Sequence, residues 1–239
     1  MVRMLVTRPE PDASETAARL AALDIEAVVE PLLVAETLHT TLPPAQGFAA
    51  LAVTSANALR ALHDRGELPR LLGLPVYAVG DRSAAAARAF GFSEVTSAAG
   101  NAQDLVALLA RVGLGGPVLY PCARHQAADL AAALAPHGVM VITTPVYVMN
   151  RVSELSRDLA ADAPDAALLY SRRSAETFAS LAPAAIRGRM TMLCLSEAVA
   201  EPLLAAHFVR VGLAEHPSEE AMMALALSFA RGRKTGMMQ

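Results

Sequence analysis

The sequence predicts an α/β protein built from two flavodoxin-like, doubly wound parallel-sheet domains. Three observations carry that prediction. An apolar strand, a small polar turn and an Ala-rich helix follow one another six times along the chain. The strands are apolar throughout, as strands buried on both faces of a parallel sheet are. The phrases of the first half also align with those of the second at a nearly constant offset.

In chain order, the strand tips read Val6-Thr7-Arg8-Pro9, Val53-Thr54-Ser55-Ala56-Asn57, Val79-Gly80-Asp81-Arg82-Ser83, Tyr120-Pro121-Cys122-Ala123-Arg124, Tyr170-Ser171-Arg172-Arg173-Ser174 and Leu195-Ser196-Glu197. Val6 pairs with Tyr120 and Glu30-Pro31 with Thr144-Pro145, both at an offset of 114. Val53 pairs with Tyr170 at 117, and Val79 with Leu195 at 116. Phe92-Ser93-Glu94-Val95 matches Phe208-Val209-Arg210-Val211, again at 116. Each half therefore reads as five strands, the flavodoxin-like count, and duplication explains the steady register better than convergence does.

The second strand of each half is peculiar. Glu26 to Leu38 and Val139 to Asn150 each run about a dozen residues, roughly 40 Å at ~3.3 Å per residue and about twice a usual strand. Each carries a proline in mid-run, Pro31 and Pro145, which marks a sheet edge or a change of sheet. Two such strands side by side predict a two-stranded antiparallel connector over about 31–40 and 144–151. The first domain is then discontinuous, 1–35 plus 152–239, and the second spans 41–143. Two tandem domains divided near residue 115 are the alternative.

Composition excludes several classes. Apolar stretches such as 127–134 are too short to span a bilayer, and the first residues run straight into a strand without the core of a signal peptide. Two cysteines, Cys122 and Cys194, form no disulfide framework and suit a reducing cytoplasm. A net charge of -3 argues against nucleic acid as a partner. Lys234 is the sole lysine beside 19 arginines and stands in a tail that reads as frayed, so neither Schiff-base chemistry nor a P-loop is expected.

No Gly-x-Gly-x-x-Gly follows a strand, and Gly113-Leu-Gly-Gly116 precedes one. His125 follows Cys122 by three residues, but no second pair stands nearby to complete a metal site. Ser55 and Ser171 follow strands as a nucleophile would, yet neither lies in Gly-x-Ser-x-Gly; helix N-capping accounts for both. What the tips supply is neutral donors and arginines. Free N–H groups at helix N-termini, with hydroxyls and guanidinium groups, hold carboxylates or phosphates. The candidate binding residues are Thr7, Arg8, Thr54, Ser55, Asn57, Gly80, Ser83, Ser171, Arg172 and Ser196, with Arg82, Arg124 and Arg173 as further tip cations. Tyr147 stands apart. It follows Pro145 on the connector, and its repeat partner is Leu33, so a phenol able to donate a proton appears where the duplication is broken.

These residues together resemble the uroporphyrinogen-III synthase family over nearly the whole chain, from Val6 to about Leu227. The most diagnostic pieces are Val53-Thr54-Ser55-Ala56-Asn57-Ala58, Tyr77-Ala-Val-Gly80 and Gly100-Asn101-Ala102. Pro145-Val-Tyr147, Tyr170-Ser171 and Pro217-Ser218 add to them. The resemblance implies two flavodoxin-like domains joined by a two-stranded ladder, and no cofactor or metal. It implies a linear tetrapyrrole substrate with eight carboxylates, closed with inversion of its last ring and loss of water. It implies Tyr147 as the acid, with hydroxyls at Ser83 and Ser171 among the contacts. The sixth tip departs from the family's Ile-Gly-x-x-Thr, having Leu195-Ser196-Glu197-Ala198-Val199, so a hydroxyl is missing at Val199. The Pro121-Cys122-Ala123-Arg124 tip lacks the family's Gly-rich form. A cytoplasmic monomer is expected, with hydroxymethylbilane synthase as a transient partner and no membrane association. A non-catalytic, two-lobed binder of a polyanionic small molecule is the alternative.

Overall fold

The computed structural model describes residues 1–126 and 128–236, with the side chains of 234–236 excepted. Ala127, at the head of the apolar stretch 127–134, lies outside the described residues, as does the side chain of Lys234. The elements of the first half are β1 (Arg3–Val6), α1 (Asp12–Ala21), β2 (Glu26–Val29), β3 (Leu33–Thr37), β4 (Ala50–Val53), α2 (Ala56–Asp64), β5 (Val76–Ala78), α3 (Asp81–Ala89), β6 (Val95–Ser97) and α4 (Ala102–Val112). Those of the second are β7 (Val118–Ala123), α5 (Leu130–Leu134), β8 (Val141–Arg151), β9 (Ala166–Leu169), α6 (Arg172–Leu181), β10 (Thr191–Cys194), α7 (Glu197–Ala205), β11 (Val211–Leu213) and α8 (Glu219–Gly236). Because α8 carries the backbone through Gly236, Lys234 stands in a helix and not in a frayed tail.

The chain divides into two compact units, one of Met1–Val34 with Asn150 onward, the other of Ala35–Met149. The first holds a five-stranded sheet in the order β11-β10-β9-β1-β2, paired in parallel throughout. The second sheet has six strands in the order β3-β8-β7-β4-β5-β6. Its ladders from β8 to β6 are parallel. Counting β1, β2, β9, β10 and β11 as strands one to five gives the order 2-1-3-4-5 for the first sheet. Counting β7, β8, β4, β5 and β6 in the same way gives 2-1-3-4-5 for the second, with β3 added outside β8. This is the flavodoxin-like order, with a switch point between strands one and three.

Successive residues of a strand point to opposite faces, and both faces here are apolar. In β1, Leu5 joins a core with Phe178 of α6 and Leu203 of α7, while Met4 and Val6 join Leu20 of α1 and Met222 of α8. In β4, Leu51 and Val53 meet Leu59 and Leu62 of α2, while Ala50 and Ala52 meet Leu105 of α4 and Leu130 of α5. Each sheet is thus covered twice, which is why its strands carry no alternating polar residues.

The two long runs resolve differently. The first is split, giving eleven strands among the described residues where ten were expected. Pro31 falls in a break between β2 of one sheet and β3 of the other. The break is fixed by Glu30, a buried carboxylate that accepts from Ser156 N at 2.6 Å and Ser156 Oγ at 2.5 Å. The second run remains one strand of 11 residues with Pro145 inside it. Leu38 N donates to Val146 O at 2.8 Å and Val152 N to Leu32 O at 3.2 Å. Numbering rises on β3 as it falls on β8, so the two pair antiparallel. The chain passes between units at 34/35 and 149/150, once in each of these strands.

Candidate functional site

In the second unit, the tips of β4, β7 and β8 converge on a cavity of about 520 Å³. It opens at the switch point, beside Thr54 and Tyr120 of the adjacent strands β4 and β7. Ser55, Gln103, His125, Gln126, Asp129 and Tyr147 supply its other polar groups. Val106 and Leu130 supply apolar wall.

A bulge brings Tyr147 here. Cys122 of β7 is opposite Pro145 of β8, but Ala123 is opposite Tyr147, so Val146 is an extra residue on β8. A bulge re-aims the side chains beyond it, and Pro145, with no N–H to donate, stands at its shoulder. The Arg124 N–H then donates to Tyr147 O at 2.8 Å and closes the tip. The Tyr147 ring is 7 % exposed and packs on the core of α2. Burial pushes its phenol above the ordinary tyrosine value, a hydrogen bond with Ser55 opposes that shift, and Cys122 adds slightly to it.

Ser55 is the N-cap of α2 and accepts from Asn57 N at 3.2 Å, the capping role the sequence assigned to it. Its neighbour Thr54 places Oγ1 3.0 Å from Tyr120 Oη. Tyr120 is 4 % exposed, and burial raises its phenol as well, against the Thr54 bond. Gln103 enters from the first turn of α4, whose N-terminus is fixed by a capping box of Asn101 and Asp104. Gly100 precedes it because a Cβ there would collide with the Asp104 carboxylate. Asn57 turns aside, accepting from Arg60 Nη1 at 2.5 Å and donating to Met149 Sδ at 3.7 Å. Gly80 caps α3 in an extended conformation, and Ser83 is buried in that helix. Neither lines the cavity.

The tips of the first unit are arranged otherwise. Thr7 is 0 % exposed and its Oγ1 donates to Leu168 O at 2.7 Å, which ties β1 to β9. Arg8 is turned inward. It bonds Asp12 at 2.8 Å, Glu219 at 2.7 Å and Thr16 Oγ1 at 3.2 Å, and its guanidinium lies 4.4 Å above the Tyr170 ring. Tyr170 donates to Glu219 Oε1 at 3.1 Å, and Arg19 meets the same carboxylate at 3.1 Å. Both residues look like ligand contacts in sequence because their partners lie up to 211 residues away. Ser171 caps α6, accepting from Ser174 N at 3.1 Å. Arg172 is half exposed in ion pairs with Glu176 at 3.2 Å and Glu201 at 2.6 Å. Ser196 stands at the N-cap of α7 without a side-chain capping bond.

Sequence reasoning passed over Tyr120, Gln103 and Asp129 as site residues. The signal for Tyr120 was present, since the repeat has Val6 at its position. Cys122 and Cys194 are buried, and burial pushes their thiols up to about 11 and about 12, so neither is a nucleophile at neutral pH. Among the described residues, no helix is long and apolar enough to cross a membrane.

Two doubly wound sheets with polar strand tips, one opening a cavity at its switch point, define an α/β protein built to hold a ligand at strand ends. The family model HEM4, uroporphyrinogen-III synthase HemD, matches residues 14–224. The chain therefore belongs to the uroporphyrinogen-III synthase family. Among solved structures it is similar to the uroporphyrinogen-III synthetase of Helicobacter pylori, with 21% identity and a TM-score of 0.70 over 96% of this chain and 100% of that one. It is also similar to a mutant uroporphyrinogen III synthase of the extremely thermophilic bacterium Thermus thermophilus, with 18% identity and a TM-score of 0.54 over 98% and 100% of the two chains. Among curated proteins, nothing matches.

Proposed function

We propose that this chain is a uroporphyrinogen-III synthase, a lyase that cyclises hydroxymethylbilane to uroporphyrinogen III with loss of water and inversion of ring D. The family match over 14–224 carries the reading. The hydroxyl of ring A departs as water and leaves an electrophilic azafulvene. Ring D attacks it through its substituted carbon, and the spiro intermediate opens and recloses. Holding the two ends of the substrate together is the protein's main contribution, an effect of orientation.

Tyr147 is the acid in this reading. Its phenol, protonated at neutral pH from its ordinary value near 10, is pushed further up by burial, and it lines a cavity that also exposes Ser55 and Thr54. The substrate carboxylates are held by helix N-termini and hydroxyls at Thr54, Ser55, Gly80, Ser171 and Ser196. Arg172 can join them, because ion pairs this exposed contribute little and exchange readily. Thr7 and Arg8 are left out of this set, their polar atoms being committed internally. The enzyme acts as a cytoplasmic monomer that receives its substrate from hydroxymethylbilane synthase.

The test supplies hydroxymethylbilane generated in situ and separates the porphyrin isomers after oxidation. Type III product is expected, and predominantly type I product, the outcome of closure without inversion, would overturn the reading. Tyr147→Phe should slow type III formation at or below the low end of the ~10²–10⁴-fold range of proton donors. Its melting temperature should barely move. Full activity would remove Tyr147 as the sole acid. In the wild type, the alkaline limb of the rate should lie above the ordinary phenol value near 10.

A further inference from the structure

The cavity of the second unit holds two phenols, and both are departures from the internal repeat. Tyr147 stands where the other half has Leu33, and Tyr120 where it has Val6. They reach the cavity from different strands, Tyr147 through the bulge of β8 and Tyr120 from β7. Two substitutions of an aliphatic residue by a phenol, far apart in sequence, thus meet in one place. Packing asks only for the ring; the hydroxyls need another reason.

Adjacent hydroxyls of a single tip share the cavity with both phenols. Tyr147 lines the cavity beside Ser55, and Thr54 Oγ1 lies 3.0 Å from Tyr120 Oη. Ser55 Oγ already accepts from Asn57 N. A serine hydroxyl has one proton, and when Ser55 donates it to Tyr147, the phenol's own proton is released toward the cavity. Thr54 can do the same for Tyr120.

We propose that Tyr120 is a second proton donor of the cavity, interchangeable with Tyr147 in delivering a proton to the departing hydroxyl of ring A. This rests on the reading that the chain closes hydroxymethylbilane. The C–O bond breaks with its electron pair on oxygen, and the pyrrole nitrogen lone pair fills the vacancy at carbon. The phenol proton passes to the leaving hydroxyl and makes water. The phenolate regains a proton when the last pyrrole carbon loses one on rearomatisation. Either phenol balances the step.

The experiment is a double-mutant cycle on kcat for type III formation, with Tyr120→Phe, Tyr147→Phe and the double variant, each beside a melting curve. Interchangeable donors protect one another. Each single variant should lose no more than about threefold, and the double variant about 10²-fold or more, well beyond the product of the singles. A double loss equal to or smaller than that product overturns the proposal, as does a silent Tyr120→Phe in both backgrounds. If Tyr120→Phe fails to fold, Thr54→Val in the Tyr147→Phe background replaces it, with the same expectation and the same refutation. A wild type that yields only type I product refutes the functional reading itself. A wild type that yields type III with a multiplicative cycle refutes only the role of Tyr120.

Discussion

The two switch points of this molecule occupy the same place in the same fold and are furnished in opposite ways. In the first unit, Arg8, Tyr170 and Glu219 meet across β1 and β9, with Asp12, Thr16 and Arg19 around them. Charges there are answered by charges of the same chain. In the second unit, Tyr120 and Thr54 meet across β7 and β4, beside a cavity of about 520 Å³ whose tip hydroxyls are neutral. The tyrosine has changed strands between the copies: Tyr170 corresponds to Val53, and Tyr120 to Val6. A duplicated fold presents the position twice, and side-chain size and charge decide whether it becomes an internal brace or a site.

Removing the brace should have the largest effect on stability. Arg8→Ala deletes two ion pairs, a hydrogen bond and the stack on Tyr170, and should cost about 2–3 kcal/mol in urea denaturation. That is below the ~3–5 kcal/mol of a fully buried pair, because Glu219 keeps a fifth of its side chain exposed. Activity per folded molecule should hold. A collapse of activity in the folded variant would break the comparison by making Arg8 a substrate contact.

A smaller pair of changes sharpens the contrast. Thr7→Val removes the bond to Leu168 O and should cost about 1 kcal/mol with no change in rate. Thr54→Val should do the reverse, leaving the melting curve nearly unchanged while slowing type III formation a few-fold. Equal stability losses at both threonines would show that the second switch point is also a brace.

Acid should separate the units most gently. The carboxylates held below their usual range, Asp162, Asp165 and Glu220, all belong to the first unit. Burial alone would raise Asp165, but the Arg3 backbone N–H and the Arg233 guanidinium outweigh it. A carboxyl whose folded value lies below its unfolded one stabilises the fold fully above the ordinary value near 3.9. That stability is lost as pH falls through the lower, folded value. Melting curves between pH 7 and 3 should therefore decline only in the acid range, and Asp165→Asn should flatten part of the decline. A decline centred near neutrality would refute this assignment.

The α/β class was legible because burial on both sheet faces leaves a local signature, strands without polar alternation, and because the duplication kept its spacing. Pro31 falls in the break between β2 and β3, whereas Pro145 sits inside the continuous strand β8, so a proline by itself did not tell which run is interrupted. The capping of Ser55 and Ser171 was legible for the same local reason: the acceptor and its N–H are two or three residues apart. The inward turn of Thr7 and Arg8 was not, because Leu168 and Glu219 come to them through β-pairing and helix packing from the far end of the chain. Nor was the meeting of Tyr120 with Tyr147, which depends on one extra residue in β8. By itself the sequence determined which residues are strands, tips and caps, because those follow from neighbours along the chain. Only the tertiary structure decided which tip is filled and which stays open, because that depends on charges and rings brought together from positions that no local pattern connects.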